Sequence, residues 1–206
     1  MKYKINVIAL LLSILCGGII SCTPKNTYKL RLSRCLEDIE TTKFEAFGKN
    51  YIQHKDFDFS CLIGSKLPEF ELIKLNNEVL KTKDLKGKIN VFNFWFKGCP
   101  PCIKEIPDLN QLVKKYSSEK VKFMALSLDK EDILLKFLND TQFNFEHFKN
   151  GNDIIVGDFE YHEGYPLTII TNKKNEIKVL IKGDQIDENN SAFNLIDKII
   201  SELIDS

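Results

Sequence analysis

The run Ile89-Asn-Val-Phe-Asn-Phe-Trp-Phe96 carries little polar interruption and stops two residues short of Cys99-Pro-Pro-Cys102. β-Branched and aromatic side chains at this density suit a strand buried on both faces. Beyond the cysteines, Ile103, Ile106, Leu109, Leu112, Val113 and Tyr116 recur every three or four residues. That spacing predicts an amphipathic helix, with Pro107 inside it as a kink. A buried strand that hands over to a helix at a cysteine pair confines the chain to a layered α/β architecture.

The remaining pattern extends this unit in both directions. Glu69 to Leu75 alternates apolar and polar, Asn76-Asn77 supplies a turn, and Glu78 to Leu80 returns, which predicts a hairpin. Val121 to Leu128 reads as a second buried strand, and Glu131 to Asn139 as a helix. A short strand follows at Asn144 to Phe148, then a short helix at Asp153 to Phe159. Pro166 to Thr171 and Glu176 to Ile181 are strands around the turn Asn172-Lys-Lys-Asn175, and Ala192 to Ile204 is a closing helix. The order predicts a mixed sheet flanked by helices on both faces. Ahead of it, Leu32, Leu36 and Ile39, then Phe44, Phe47 and Tyr51, have helical spacing in part, and Phe57 to Cys61 alternates like a short strand.

Are Cys99 and Cys102 a metal clip, a structural bridge or a couple that turns over? Zinc usually takes a second ligand pair of similar spacing, which Cys35 and Cys61 do not supply. His54, His147 and His162 are scattered and read as surface or packing residues, so no metal is expected. A helix starting near Cys102 puts Cys99 at its N-terminus, where the macrodipole and free N–H groups favour a thiolate. Cys102, one turn deeper, is placed to attack a mixed disulfide on Cys99 and release the product. Pro100 and Pro101 fit the first helical turn and remove two N–H donors that the Cys99 sulfur would otherwise have.

The first residues bear on compartment. Lys2 and Lys4 precede an almost wholly apolar Ile5 to Ile20, the length of a secretory signal core and short for a membrane span. An uncleaved membrane anchor is the alternative. The ending Ile19-Ile20-Ser21-Cys22 resembles a bacterial lipobox, and that resemblance implies cleavage before Cys22 and lipid attached there. The expected organisation is a signal peptide at 1–21, a tether and N-terminal extension at 22–61, and the main domain at 62–206. The mature chain then holds 27 basic and 29 acidic residues, a net charge of −2 with no basic stripe, so nucleic acid is not an expected partner. Apart from Cys16 and Cys22, four cysteines remain, an even number suited to an oxidising space. Cys35 and Cys61 flank a 25-residue segment. They are either bridged, which would stabilise the fold by about 3–4 kcal/mol, or two unpaired buried thiols.

The segment Trp95 to Pro107, together with Tyr165-Pro166, resembles thioredoxin-like proteins of the TlpA/ResA type, close to the AhpC/TSA group. The likeness spans Leu62 to Ser206. It implies a thioredoxin-like fold with an N-terminal hairpin, and a thiol–disulfide oxidoreductase whose only redox group is the Cys99–Cys102 pair. It further implies that Pro166 is a cis-proline facing the cysteines and that the Tyr165 backbone helps bind a partner's disulfide segment. Glu105 is implied as an acid near the buried thiol, able to carry protons; an exposed helix carboxylate is the alternative. Phe94 and Trp95 read as core, with Trp95 also bordering the site and grouped with Pro100, Pro101, Tyr165 and Pro166 as substrate-contacting residues. Three departures stand out. Asn93 occupies the place of the buried Asp of typical thioredoxins, Gly98 replaces a frequent Trp and should open the site, and Tyr165 is bulkier than the usual Thr or Val.

The expected partners are envelope protein disulfides or thiols, a membrane thiol–disulfide recycling partner, and the membrane through the lipid. The leading expectation is a lipid-anchored, extracytoplasmic reductant. A disulfide-donating oxidant is the runner-up, and a thiol peroxidase and a non-catalytic binding lipoprotein are further alternatives. The peroxidase fits less well because Phe96-Lys97-Gly98, rather than a Thr or Ser three residues earlier, leads into Cys99.

Overall fold

The structure is a computed structural model describing residues 27–37, 39–46, 49–54, 57–117, 120–183 and 191–205. The expected signal peptide, Cys22 and most of the tether lie outside the described residues. Among those described, no helix is long and apolar enough to cross a membrane.

Five strands form the central sheet: β5 (Ile89–Trp95), β6 (Val121–Ser127), β7 (Glu146–His147), β8 (Leu167–Thr171) and β9 (Ile177–Lys182). Their spatial order is β7-β6-β5-β8-β9. β5 pairs in parallel with β6 and antiparallel with β8, so the sheet is mixed. β5 sits at its centre and is buried along its whole length. Because side chains alternate between faces, Ile89, Val91, Asn93 and Trp95 point one way and Phe92 and Phe94 the other. The first face is covered by α2 (Pro100–Lys115), α3 (Glu131–Asp140) and, following α4 (Gly151–Asp153), by α5 (Ala192–Ile204), through Ile106, Leu109, Leu134, Phe137, Ile196 and Ile200. The second face is covered by α1 (Tyr28–Cys35), the Phe57–Phe70 segment and the stretch from Ile154 to Tyr161.

The hairpin ahead of the sheet forms as β3 (Glu71–Ile73) and β4 (Val79–Lys81), with Asn77 at φ 70° in its turn. Two parts of the N-terminal region differ from the sequence reading. β1 (Thr41–Ala46) and β2 (Lys49–His54) are an antiparallel pair in which Phe44 lies opposite Tyr51. Residues seven apart are thus cross-strand partners here, rather than two turns of one helix. The alternating Phe57–Cys61 segment is not a strand. Asp58 accepts from the Ser60 N–H at 2.8 Å and caps a tight turn over Phe59–Leu62. A short polar side chain bonding its own backbone two residues on overrides the alternation. That turn brings Cys61 to Cys35, and the two are joined in a disulfide.

Candidate active site

β5 ends at Trp95, and the connection to α2 is fixed from both sides. The Leu128 N–H donates to the Trp95 carbonyl at 3.0 Å, and the Lys97 N–H donates to Asp129 Oδ2 at 2.6 Å. Cys99 then caps α2 with extended backbone, its Sγ accepting from the Cys102 N–H at 3.3 Å. Pro100 and Pro101 occupy the first helical positions, where a missing N–H costs nothing. Cys99 and Cys102 form a disulfide with Cα atoms 5.3 Å apart.

Glu105 lies one turn beyond Cys102 on the same side of α2, since residues three apart are neighbours on a helix. It is only 5% exposed, which sets aside the surface-carboxylate alternative. Asn93, across on β5, donates through Nδ2 to Glu105 Oε1 at 2.8 Å and to Thr168 Oγ1 at 3.2 Å. Burial pushes the Glu105 carboxyl up to about 7; Asp108 adds to the rise, and the Asn93 hydrogen bond opposes it. A carboxyl with that pKa exchanges protons near neutrality.

β8 delivers the other side of the site. Pairing of Phe94 with Leu167 and Asn93 with Thr168 sets the start of β8 beside the end of β5. The Tyr165–Pro166 peptide bond is cis. The Gly183 N–H donates to the Pro166 carbonyl at 2.9 Å, and a Cβ at Gly183 would fall 2.5 Å from Pro166 Cδ. Gly183 therefore backs the proline through a close approach that any side chain would obstruct. The Tyr165 ring is partly buried and meets Phe96 edge-on at 5.7 Å.

Several sequence expectations change. Trp95 is a core residue, 1% exposed, and its ring packs on Phe137, Phe143 and His147. The period-two alternation that turns Asn93 toward Glu105 also turns Trp95 under the helices. The site is not laid open by Gly98, because Cys99 is 4% exposed although Gly98, Pro100 and Pro101 lie at the surface. Thr168, Asp129 and Gly183 were missed. Only Gly183 carried a signal, as a glycine at the end of a strand.

A mixed five-stranded sheet with a Cys-x-x-Cys disulfide at a helix start and a cis-proline beside it defines a thioredoxin-like thiol–disulfide oxidoreductase. Residues 63–180 match the AhpC/TSA family, and the chain belongs to that family. It is 33% identical over 127 residues to the thiol-disulfide oxidoreductase ResA of Bacillus thuringiensis, covering 61% of this chain and 73% of that one. The corresponding protein of Oceanobacillus iheyensis is 30% identical over 136 residues, covering 63% and 69%. The fold is shared with the thioredoxin domain of a thiol-disulfide oxidoreductase from Bacteroides vulgatus, with a TM-score of 0.56 at 22% identity over 67% of this chain and 97% of that one.

Proposed function

We propose that this protein is a lipid-tethered reductant of protein disulfides in the cell envelope, acting through Cys99 and Cys102. The Cys99 thiolate attacks one sulfur of a partner disulfide and expels the other as a thiolate. Glu105 takes the proton from Cys102, which then attacks the Cys99 sulfur and releases the partner's second thiol. The partner gains two electrons, and the Cys99–Cys102 disulfide returns to a membrane thiol–disulfide partner to be reduced. Pro100 and Pro101 on one side and Tyr165 with Pro166 on the other receive the partner segment. The redox pair needs no further cofactor. Cys22 supplies the lipid that holds the domain at an extracytoplasmic surface.

The direction rests on the donors around Cys99. Among the described residues one N–H reaches its sulfur, at 3.3 Å, and Pro100 and Pro101 have none to offer. A couple is strongly oxidising where its reduced form is stabilised. With two of the helix-start donors removed, the Cys99 thiolate is less stabilised than a helix N-terminus alone would make it, which favours a reducing couple. Equilibration of the pair with glutathione tests this. A potential near thioredoxin's value of about −270 mV supports the reductant, and one near DsbA's value of about −120 mV replaces it with a disulfide donor.

A further inference from the structure

The N-terminal extension does more than precede the domain, because several of its polar and ring contacts converge on one short stretch, Phe159 to Glu163, which leads into Tyr165–Pro166. The Tyr28 hydroxyl donates to the Phe159 carbonyl at 2.9 Å, and the two rings meet edge-on at 5.4 Å. Lys29 pairs with Glu160 at 3.4 Å. The His54 N–H donates to Glu163 Oε1 at 3.3 Å, and His54 Nδ1 lies 3.5 Å from the same oxygen. Phe59 meets Tyr161 at 5.4 Å, Tyr161 meets Tyr165 at 5.4 Å, and Tyr165 meets Phe96. A continuous file of rings thus runs from the extension to the residue just before the Cys99 loop.

The extension's end of this file is held firmly. Phe59 packs on Phe57 at 4.4 Å and lies under the Lys182 ammonium at 4.7 Å, one residue before the Gly183 that backs Pro166. The Cys35–Cys61 disulfide ties α1 to the Phe59–Leu62 turn, and the Arg31 Nε donates to the Cys61 carbonyl at 2.8 Å. Ring edges stacked this way resist rotation, since each displaced ring must move its neighbour.

We infer that Phe59 and Tyr28, clamped by the Cys35–Cys61 disulfide, are positioning residues that hold Tyr165 and Pro166 in the orientation a protein partner's backbone requires. A partner that pairs along the Tyr165 backbone depends on that orientation, whereas a small disulfide that only has to meet the Cys99 sulfur does not. The inference rests on the reading of Tyr165–Pro166 as the partner-binding edge.

Phe59→Ala and the double variant Cys35→Ser/Cys61→Ser, made in the full chain, test it against an insulin-type protein disulfide and an aromatic small-molecule disulfide. Amide hydrogen exchange over 159–166 is read in parallel. The expected result is faster exchange in that stretch and a KM for the protein disulfide raised about tenfold. The rate with the small disulfide and the equilibrium constant of the Cys99–Cys102 pair with glutathione should stay within about twofold of wild type. Phe59→Tyr, which keeps the ring, should restore the wild-type KM. Unchanged exchange over 159–166 overturns the coupling. Equal losses on both substrates with a lowered Tm reduce the extension to a stability element and overturn the positioning role. A wild type inert toward both disulfides defeats the functional reading first, a result the exchange data distinguish from failure of the coupling.

Discussion

Asn93 donates a 2.8 Å hydrogen bond to Oε1 of Glu105, yet among the described residues neither Glu105 Oε2 nor the side-chain amide oxygen of Asn93 has a partner. An amide cannot take a proton, so the titrating group beneath the cysteines is the carboxyl on the helix rather than a group on the strand. Glu105→Gln preserves the shape and the acceptor for Asn93 while removing the titration. Release of the mixed disulfide by Cys102 should slow by roughly 10²-fold, with the initial attack by Cys99 little changed. The wild-type rate should inflect near the Glu105 pKa of about 7, and the variant should lose that inflection. Single-turnover rates across the pH range check this, and superimposable profiles would remove Glu105 from the proton path.

The two sulfurs are distinguished by their places on α2. Both are buried, but Cys99 caps the helix beside exposed Pro100, while Cys102 lies in the first turn on the side of Glu105. Cys102→Ser should therefore accumulate mixed disulfides with partner proteins through Cys99, and Cys99→Ser should accumulate far fewer. Non-reducing gels of the two variants give the comparison. Equal trapping would sink the assignment of attacking and resolving roles.

Gly183 has no room for a side chain. An alanine Cβ would sit 2.5 Å from Pro166 Cδ and 3.1 Å from its Cγ, so either β9 or the proline must give way. Gly183→Ala should cost about 1–3 kcal/mol of stability by overpacking. It should also raise the KM for protein disulfides if Pro166 receives the partner segment, as proposed. Urea titration and insulin reduction measure the two effects. A KM unchanged despite lost stability would separate Pro166 from substrate binding.

The lipid reading makes its own demand. Cys22→Ala should abolish incorporation of labelled fatty acid and leave the precursor uncleaved. Label on the variant, or none on the wild type, would contradict the anchor.

Much of this was legible because β5 and α2 are written in strong periods. The unbroken apolar run and the three-four spacing after Cys102 state the strand and helix without tertiary help. The 3.6-residue period also states that Glu105 shares a side with Cys102. What the sequence conceals is the face on which a doubly buried strand turns each residue. In a run apolar on both sides, Phe94 and Trp95 read as core, but nothing marks which face each takes or Asn93 as facing Glu105. Thr168 is equally silent, since its contact with Asn93 depends on the register between β5 and β8. The Thr41–His54 hairpin was misread because Phe44 and Tyr51 satisfy both a helical and a cross-strand spacing.

Two buried groups, Glu105 and His147, contribute to the pH dependence of stability with opposite signs. Burial raises Glu105 from 4.5 to about 7, so the folded state holds that proton more tightly than the unfolded chain does. Its contribution therefore falls as pH rises from about 4.5 to 7, by about 3 kcal/mol in all. Burial against Trp95 and Phe143 lowers His147 from 6.5 to about 4, so the folded state holds this proton less tightly. Its contribution is lost as pH falls from about 6.5 to 4, again by about 3 kcal/mol. Across the shared window the slopes of these two groups oppose each other and nearly cancel. Glu105→Gln leaves the histidine slope alone, so its stability should climb steadily from pH 4 to 6.5 and exceed wild type above pH 7. His147→Gln leaves the carboxyl slope alone, so its stability should fall from pH 4.5 to 7. Every other group, His162 included, is common to all three proteins, so the differences between curves isolate these two. Urea unfolding at half-unit pH steps measures them, and three parallel curves would show that neither group titrates in a desolvated site.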